Sequence, residues 1–195
     1  MRNIFLGIVS ACVFAPSIAS AALQLNIESI ELRPGDTGFI EVFFRETAPA
    51  ANENLVAYAV GLDLPANPRG VSFAPAPLLR ETTAHPFVFA PGTPIDDTGS
   101  SASRIRSSAA ILTAPENIVD NEGVLRVPIS VAQGAAPGVI PIVFNLTGGL
   151  TEFSDDIGNV IEFVPVNGAV TIVPEPAALG LLGIGGVLFL RRRRA

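Results

Sequence analysis

The chain has 195 residues and a formal charge of −6, with 12 basic side chains, all of them arginine, against 18 acids. The acidic balance speaks against a nucleic-acid binder, which needs a basic face to displace counterions from phosphates. One cysteine, Cys12, and one histidine, His85, exclude a disulfide framework, a Cys-rich zinc site and a two-His metal site.

The N-terminus starts with a charge in Met1-Arg2-Asn3 and continues through an apolar run over residues 4–14. Pro16 and small residues follow, down to Ala19-Ser20-Ala21-Ala22. A basic start, a short apolar stretch and an A-x-A site predict a cleaved secretory signal peptide over residues 1–21. Ala19 and Ala21 are its small recognition residues, and Ala22 is the first residue of the mature chain. The apolar run is too short for a membrane anchor, which needs about 20 residues to cross ~30 Å of hydrocarbon. Val9-Ser10-Ala11-Cys12 has the form of a lipoprotein acylation site, but too few apolar residues precede it. With the signal removed, Cys12 is discarded and the mature protein has no thiol.

Residues 22–172 form one domain in this reading. Their seven arginines against seventeen acids give −10, a charge that acidic polymers and anionic surfaces repel. The periodicity is two throughout, the signature of strands with one buried face. Leu23, Leu25 and Ile27 alternate with polar neighbours, and Arg33-Pro34-Gly35-Asp36-Thr37-Gly38 reads as a turn. Further strands are predicted over residues 39–46, 55–64, 71–74, 87–89, 105–113, 123–131 and 139–146. Phe153 and residues 160–163 flank a hairpin loop at 154–159, and residues 169–173 close the domain. Pro128 and Pro141 fall inside strand patterns and each removes a ladder donor, so each predicts an edge strand or a bulge. Residues 90–103 read as a long surface loop. Residues 47–59 are the best helical candidate and carry no convincing stripe. Nine or so short strands separated by turn signals predict an all-β fold, an antiparallel β-sandwich of jelly-roll type.

The opening Ile27-Glu28-Ser29-Ile30-Glu31-Leu32-Arg33-Pro34-Gly35-Asp36 resembles the start of cohesin-like domains. So does the distal half: Gly123-Val124-Leu125-Arg126-Val127, then Ala136-Pro137-Gly138-Val139-Ile140-Pro141-Ile142, then Gly168-Ala169-Val170-Thr171-Ile172. The resemblance implies a nine-stranded jelly-roll sandwich related to some carbohydrate-binding modules. Residues 65–120 depart from the family pattern in their Pro-rich loops, so dockerin binding is not carried over.

Residues 173–195 form the third region. Val173-Pro174-Glu175-Pro176 leads into an uncharged run of 14 residues, 177–190, and then into Arg191, Arg192, Arg193 and Arg194. As a helix the run is ~21 Å long, short for a span. Four adjacent guanidiniums nonetheless rule out a buried core helix and fit a stop at a membrane interface. The positive-inside rule puts them on the cytoplasmic side with the body across the membrane, in agreement with the signal peptide. Pro176 holds Glu175 extended and Pro174 does the same to Val173, so the tripeptide is a stiff strip just outside the bilayer. These residues resemble the PEP-CTERM sorting signal of Gram-negative bacteria. The resemblance implies an exosortase as processing partner, a cut near residues 174–176, and export in species that make extracellular polysaccharide.

Catalytic chemistry is sparse. Asp36-Thr37-Gly38 and Asp97-Thr98-Gly99 both match the Asp-Thr-Gly of aspartic proteases, whose two carboxylates share a proton. Both copies sit in turn-like surroundings. His85 precedes Pro86 and has no G-x-S-x-G partner. Asp96 with Asp97, Asp120 with Glu122, and Asp155-Asp156 with Asn159 offer oxygen ligands for Ca²⁺ without the EF-hand spacing. Asn145-Leu146-Thr147 fits a glycosylation sequon inside a strand pattern. No cofactor is expected. The leading function is a non-catalytic exported protein of the cell surface or biofilm matrix, held transiently in the inner membrane with its body in the periplasm. Its sandwich contacts a surface protein or an exopolysaccharide. A carbohydrate-binding module is the alternative, handicapped by the absence of Trp and by Tyr58 as sole tyrosine. An aspartic hydrolase ranks third.

Overall fold

The computed structural model describes residues 23–46, 54–66, 68–74, 84–89, 95–96, 98–111 and 114–174. The signal peptide with Cys12, Ala19, Ala21 and Ala22, then Asp97, and the tail from Glu175 onward with Arg191, Arg192, Arg193 and Arg194 lie outside the described residues.

Among the described residues twelve strands form two sheets, and there is no α-helix. The smaller sheet contains β1 (Leu23–Ile27), β3 (Thr37–Glu46), β5 (Val71–Phe73), β8 (Gly123–Val131) and β11 (Val164–Val166). Its order is β11-β1-β3-β8-β5. The larger sheet contains β2 (Ile30–Leu32), β4 (Leu55–Asp63), β6 (Ile95–Asp96), β7 (Arg104–Ala110), β9 (Gly138–Phe144), β10 (Glu152–Asp155) and β12 (Gly168–Ile172). Its order is β2-β12-β9-β4-β7-β6, with β10 also on β4. The expected β-sandwich is therefore what the chain forms.

Alternation builds the core. In β8, Leu125, Val127 and Ile129 point inward, and in β3, Ile40, Val42 and Phe44 do the same, all at most 1% exposed. From the larger sheet come Tyr58, Val60 and Leu62 of β4, Ile105 of β7, and Ile140 and Ile142 of β9. Aromatic rings fill the middle. Phe153 packs edge-on to Phe44 at 4.9 Å and to Phe163 at 5.2 Å, and Tyr58 stacks on Phe89 at 5.5 Å. The Tyr58 hydroxyl donates across the sandwich to the Val124 carbonyl, 3.1 Å away, so the ring is fixed at both ends.

The two terminal segments stitch the sheets together. The chain passes from β1 in the smaller sheet to β2 in the larger through Glu28–Ser29, and from β11 to β12 through Asn167. The two crossing segments pair in parallel on both sides of the switch, β1 with β11 and β2 with β12. Gly168 sits where the segments meet: an added Cβ would lie 2.7 Å from the Glu28 carbonyl oxygen. The Ala169 N–H donates to Ser29 Oγ at 3.0 Å and closes the crossing. The chain therefore begins at one end of the sandwich, beside Glu46, and leaves at the other, beside Leu32 and Gly138.

Both prolines act as local edges inside strands that the sheet order makes interior. The Pro128 carbonyl accepts the Ala74 N–H, so its missing donor faces β5 where that short strand has ended. Pro141 pairs with Ala169 of β12, while β4 joins β9 only at Val143 and Phe144. The Phe144 N–H turns toward Asn167 beside β12. By alternation the nitrogen of Pro141 therefore faces the open side. Neither proline carries the alternative, a bulge; register shifts occur at Val42–Phe43 opposite β8 and at Ser154–Asp155 opposite β4. Other predicted bounds shift. Phe87 makes only a single bridge to Gly123, residues 160–163 give one bridge at Val160, and residues 55–59 of the helical candidate are strand.

Candidate functional site

The sequence-predicted residues do not assemble into a catalytic centre. Asp36 closes the turn before β3 at one end of the smaller sheet, its carboxylate accepting the Arg33 N–H at 3.0 Å. Asp96 lies on β6 at the far edge of the larger sheet, where the Thr98 N–H and hydroxyl both bind it and hold its carboxyl below the ordinary range. Asp36 thus stands at the smaller sheet while Asp96 and Thr98 stand at the edge of the larger one, and Asp97 itself lies outside the described residues. His85 stacks on Phe43 at 4.0 Å and donates from Nδ1 to the Asn121 carbonyl.

The acidic pairs close turns. Asp155 accepts the N–H groups of Ile157 and Asn159 and the Asn159 amide; partial desolvation opposes, but these bonds hold its carboxyl below the usual range. Asp120 accepts the Glu46 N–H, and Glu122 accepts the Val119 N–H. Burial, with Glu116 and Glu46 nearby, pushes Glu122 up. Among the described residues no group of three or more His, Cys, Asp or Glu is placed to hold a metal ion.

A different constellation stands on the outer face of the larger sheet. Alternation turns Ala59, Gly61 and Asp63 of β4 outward beside Arg104, Arg106 and Ser108 of β7, and the register sets Asp63 opposite Arg104 and Gly61 opposite Arg106. Asp63 receives three donors: Arg104 Nε at 3.0 Å, Arg106 Nη2 at 3.4 Å and Asn145 Nδ2 at 2.6 Å. Desolvation would raise its carboxyl, but the Asn145 and Arg104 hydrogen bonds and the Arg106 and Arg104 charges outweigh it and hold it low. The sequon residue Asn145 is therefore a structural member of this cluster.

A loop overlies the cluster. β9 and β10 run in the same direction along the same side of β4, so residues 145–151 are an insertion looped out of one interrupted strand. A short 3-10 turn, Thr147–Gly149, shapes it. Thr151 pins it down: Oγ1 accepts the Gly61 N–H at 3.0 Å and donates to the Asn145 carbonyl at 2.8 Å. A side chain at position 61 would crowd the loop, because an added Cβ would lie 2.8 Å from Arg106 Nη1 and 3.0 Å from the Leu150 carbonyl.

Beside this polar cluster lies an apolar strip. Val139, Pro141 and Val143 project outward from β9; Val139 is 62% exposed and Val143 36%. Leu146 and Leu150 extend the strip along the loop, at 54% and 36% exposure. A shallow depression of about 130 Å³ lies between Leu150, Arg106, Ser108 and Asp96. Small-molecule sites run to ~300–1,000 Å³, so this face suits a macromolecule better than an enclosed ligand.

The opposite outer face offers less. Glu41 of β3 is 3% exposed and pairs with Arg126 of β8 at 3.5 Å, and the Arg126 guanidinium lies 3.9 Å over the Phe39 ring. Phe39 is the most exposed aromatic among the described residues, and its face is already occupied. Tyr58 is buried. No bare aromatic platform for a sugar ring is thus available among the described residues.

Sequence reasoning missed Asp63, Arg104, Arg106 and Thr151. Arg104 and Arg106 two apart in a strand pattern do signal two guanidiniums on one face, but nothing local identifies the acid they share.

With this geometry in hand, solved structures define the class: the domain is a cohesin-like β-sandwich. It matches a non-cellulosomal cohesin from the archaeon Archaeoglobus fulgidus with a TM-score of 0.58 and 14% identity, over 82% of this chain and 97% of that one. It matches a type I cohesin–dockerin complex from Clostridium thermocellum at 0.59 and 18%, over 78% and 99%. A cohesin of Acetivibrio cellulolyticus bound to a dockerin gives 0.61 and 13%, over 77% and 99%. At such identities the likeness establishes the fold alone. A search of curated proteins returns no match. Residues 173–194 match the PEP-CTERM protein-sorting motif, so the chain carries this signal directly behind its sandwich. The match includes Val173, whose N–H donates to the Leu32 carbonyl at 2.9 Å, so the motif starts within the fold.

Proposed function

We propose that this is an exported, non-catalytic protein of the cell surface or biofilm matrix. An exosortase recognises Val173, Pro174, Glu175 and Pro176 and cuts near that strip. Before the cut, the tail holds the chain in the inner membrane with the sandwich in the periplasm. The cytoplasmic arginines, Arg191, Arg192, Arg193 and Arg194, prevent the helix from sliding through. After the cut, the sandwich works outside the cell by binding a protein through the outer face of its larger sheet.

The observation that carries this reading is the exposed strip Val139, Pro141, Val143, Leu146 and Leu150 beside the Asp63 ion cluster. An apolar centre with a fixed polar margin is the anatomy of protein interfaces. The solved relatives from Clostridium thermocellum and Acetivibrio cellulolyticus are seen with dockerins. What is taken over from them is the partner class, a protein, and not the dockerin itself. The occupied Phe39 face and buried Tyr58 favour this over a carbohydrate-binding module.

The test is surface retention of a Val143→Glu variant. It should fold and be exported as the wild type is, yet be shed into the medium. A matching change on the other sheet, Ser72→Glu, should leave retention intact. Wild-type retention of the Val143→Glu chain would rule the docking face out.

A further inference from the structure

The place where the chain leaves the sandwich has an electrostatic character unlike the rest of the surface. β12 lies between β2 and β9, and Ile172 pairs with Leu32 on one side and with Gly138 on the other. Arg33 follows Leu32 directly. The Arg69 guanidinium lies over Gly138, where an added Cβ would come 2.5 Å from Nη1. One exposed arginine therefore flanks the exit on each side. Among the described residues neither makes a salt bridge, while Arg104 and Arg106 share Asp63 and Arg126 holds Glu41.

The acids nearest the exit are Asp36, which caps the Arg33 turn, Glu31 on β2, and Glu175 three residues beyond Ile172, so this end is near neutral where the rest of the body is acidic. Among the described residues the opposite end gathers Glu46, Glu116, Asp120, Glu122, Asp155 and Asp156 with one arginine, Arg45. The two ends are separated by the ten residues of β3, about 30 Å at strand rise. That is nearly four Debye lengths at physiological salt, where one length is about 8 Å, so each end meets a surface with its own charge and not with the body's −10.

There is also almost no spacer. Val173 is hydrogen-bonded to Leu32, and the sorting motif already includes it. From Ile172 to the first apolar residue of the tail, Ala177, the chain reaches at most about 17 Å even when fully extended.

We infer that the exit end, through Arg33 and Arg69, rests on anionic phospholipid headgroups while the chain is anchored, holding the sandwich upright with its acidic end outward. This rests on the anchoring proposed above. It gives the chain one defined posture during processing, with the folded domain held against the bilayer surface where the sorting motif begins. Each arginine near an anionic surface favours the contact by about fivefold. The acidic far end is turned away by the same field.

The test uses the full chain in a Cys12→Ser background, reconstituted into vesicles of phosphatidylcholine with one-third phosphatidylglycerol. A fluorophore is placed at Gln133→Cys beside the exit or at Ile157→Cys at the acidic end, and a quencher is attached to the headgroups. The inference expects strong quenching at position 133 and little at 157. The contrast should shrink severalfold in an Arg33→Glu, Arg69→Glu double variant, at high salt, and in pure phosphatidylcholine. Equal quenching of wild type and double variant overturns the inference while leaving the anchoring intact. A chain that does not float with vesicles at all overturns the anchoring, and the posture with it. Unchanged quenching in the double variant together with slowed cutting in cells would assign the arginines to the processing enzyme, and so would also overturn the lipid contact.

Discussion

Replacing Thr151 by Val tests how the inserted loop is held to the candidate face. The two side chains are nearly the same size, so the change removes a hydroxyl and little else. Thr151 is 7% exposed, and its Oγ1 accepts the Gly61 N–H at 3.0 Å while donating to the Asn145 carbonyl at 2.8 Å. Valine leaves the Gly61 N–H buried without a partner, at about 1–3 kcal/mol. It also loses a neutral hydrogen bond worth about 1 kcal/mol, and the new methyl recovers about 0.8 kcal/mol by burial. The net expectation is a loss of about 1–3 kcal/mol, or roughly 2–12 °C in Tm for a domain of this size. Urea unfolding followed by fluorescence suits the measurement, because the chain has no Trp and one Tyr, and Tyr58 sits in the core. Amide exchange at Gly61 and Asn145 should accelerate more than at Leu125 across the sandwich. Thr151→Ser, which keeps the hydroxyl, should retain most of the stability. The reasoning is refuted if valine matches wild type, or if serine is as damaging as valine.

Three further outcomes are expected. Glu122→Gln keeps an acceptor for the Val119 N–H but removes a charge that burial, Glu116 and Glu46 disfavour. Since the folded pKa is raised, the wild type gains stability as pH falls through it. The glutamine variant should therefore be slightly more stable than wild type at pH 7, solvent screening of the half-exposed group keeping the gain small, with the advantage fading in acid; paired urea titrations at the two pH values measure this. Asp63→Asn should cost about 1 kcal/mol at pH 7, the half-exposed Arg104 adding little. The folded carboxyl is depressed, so its contribution is full above the unfolded pKa of about 3.9 and disappears as pH falls through the lower folded value. Melts in strong acid should therefore show variant and wild type converging. Phe153→Ala removes a fully buried ring that packs against Phe44 and Phe163, at about 3–5 kcal/mol. Calorimetry should show the lowest Tm of this set.

What was legible in the sequence was the local alternation. Residues 123–131 read as a strand at both bounds because Leu125, Val127 and Ile129 supply one unbroken inner row. The sorting signal was legible for a similar reason: its features lie consecutively within 173–194 and depend on no distant residue. The sheet switches were not legible. The apolar positions change phase at Glu28–Ser29, from Leu23, Leu25 and Ile27 to Ile30 and Leu32, but nothing local says that the chain changes sheet there; only the close approach of Gly168 marks where two segments about 140 residues apart cross. The candidate face was hidden in the same way. Asp63 ends a strand like any acid, and its partners Arg104 and Asn145 lie 41 and 82 residues away. The apolar run at 139–146 was read as one strand because nothing local says that β9 stops at Phe144 and resumes on β4 only after a loop. Thr151 pins that loop through Gly61, a residue 90 positions earlier.

The central claim is that a folded cohesin-like sandwich is delivered outside the cell through residues 173–194. Intact-mass analysis of the exported protein tests it most directly, comparing wild type with a Pro174→Ala, Glu175→Ala, Pro176→Ala variant. The account predicts that the wild-type chain is recovered from the cell surface or medium, starting at Ala22 and ending within the 173–176 strip, while the variant stays in the membrane fraction with its tail attached. Recovery of both chains outside the cell at the same mass, or of a wild-type chain that keeps its arginine tail, would contradict it.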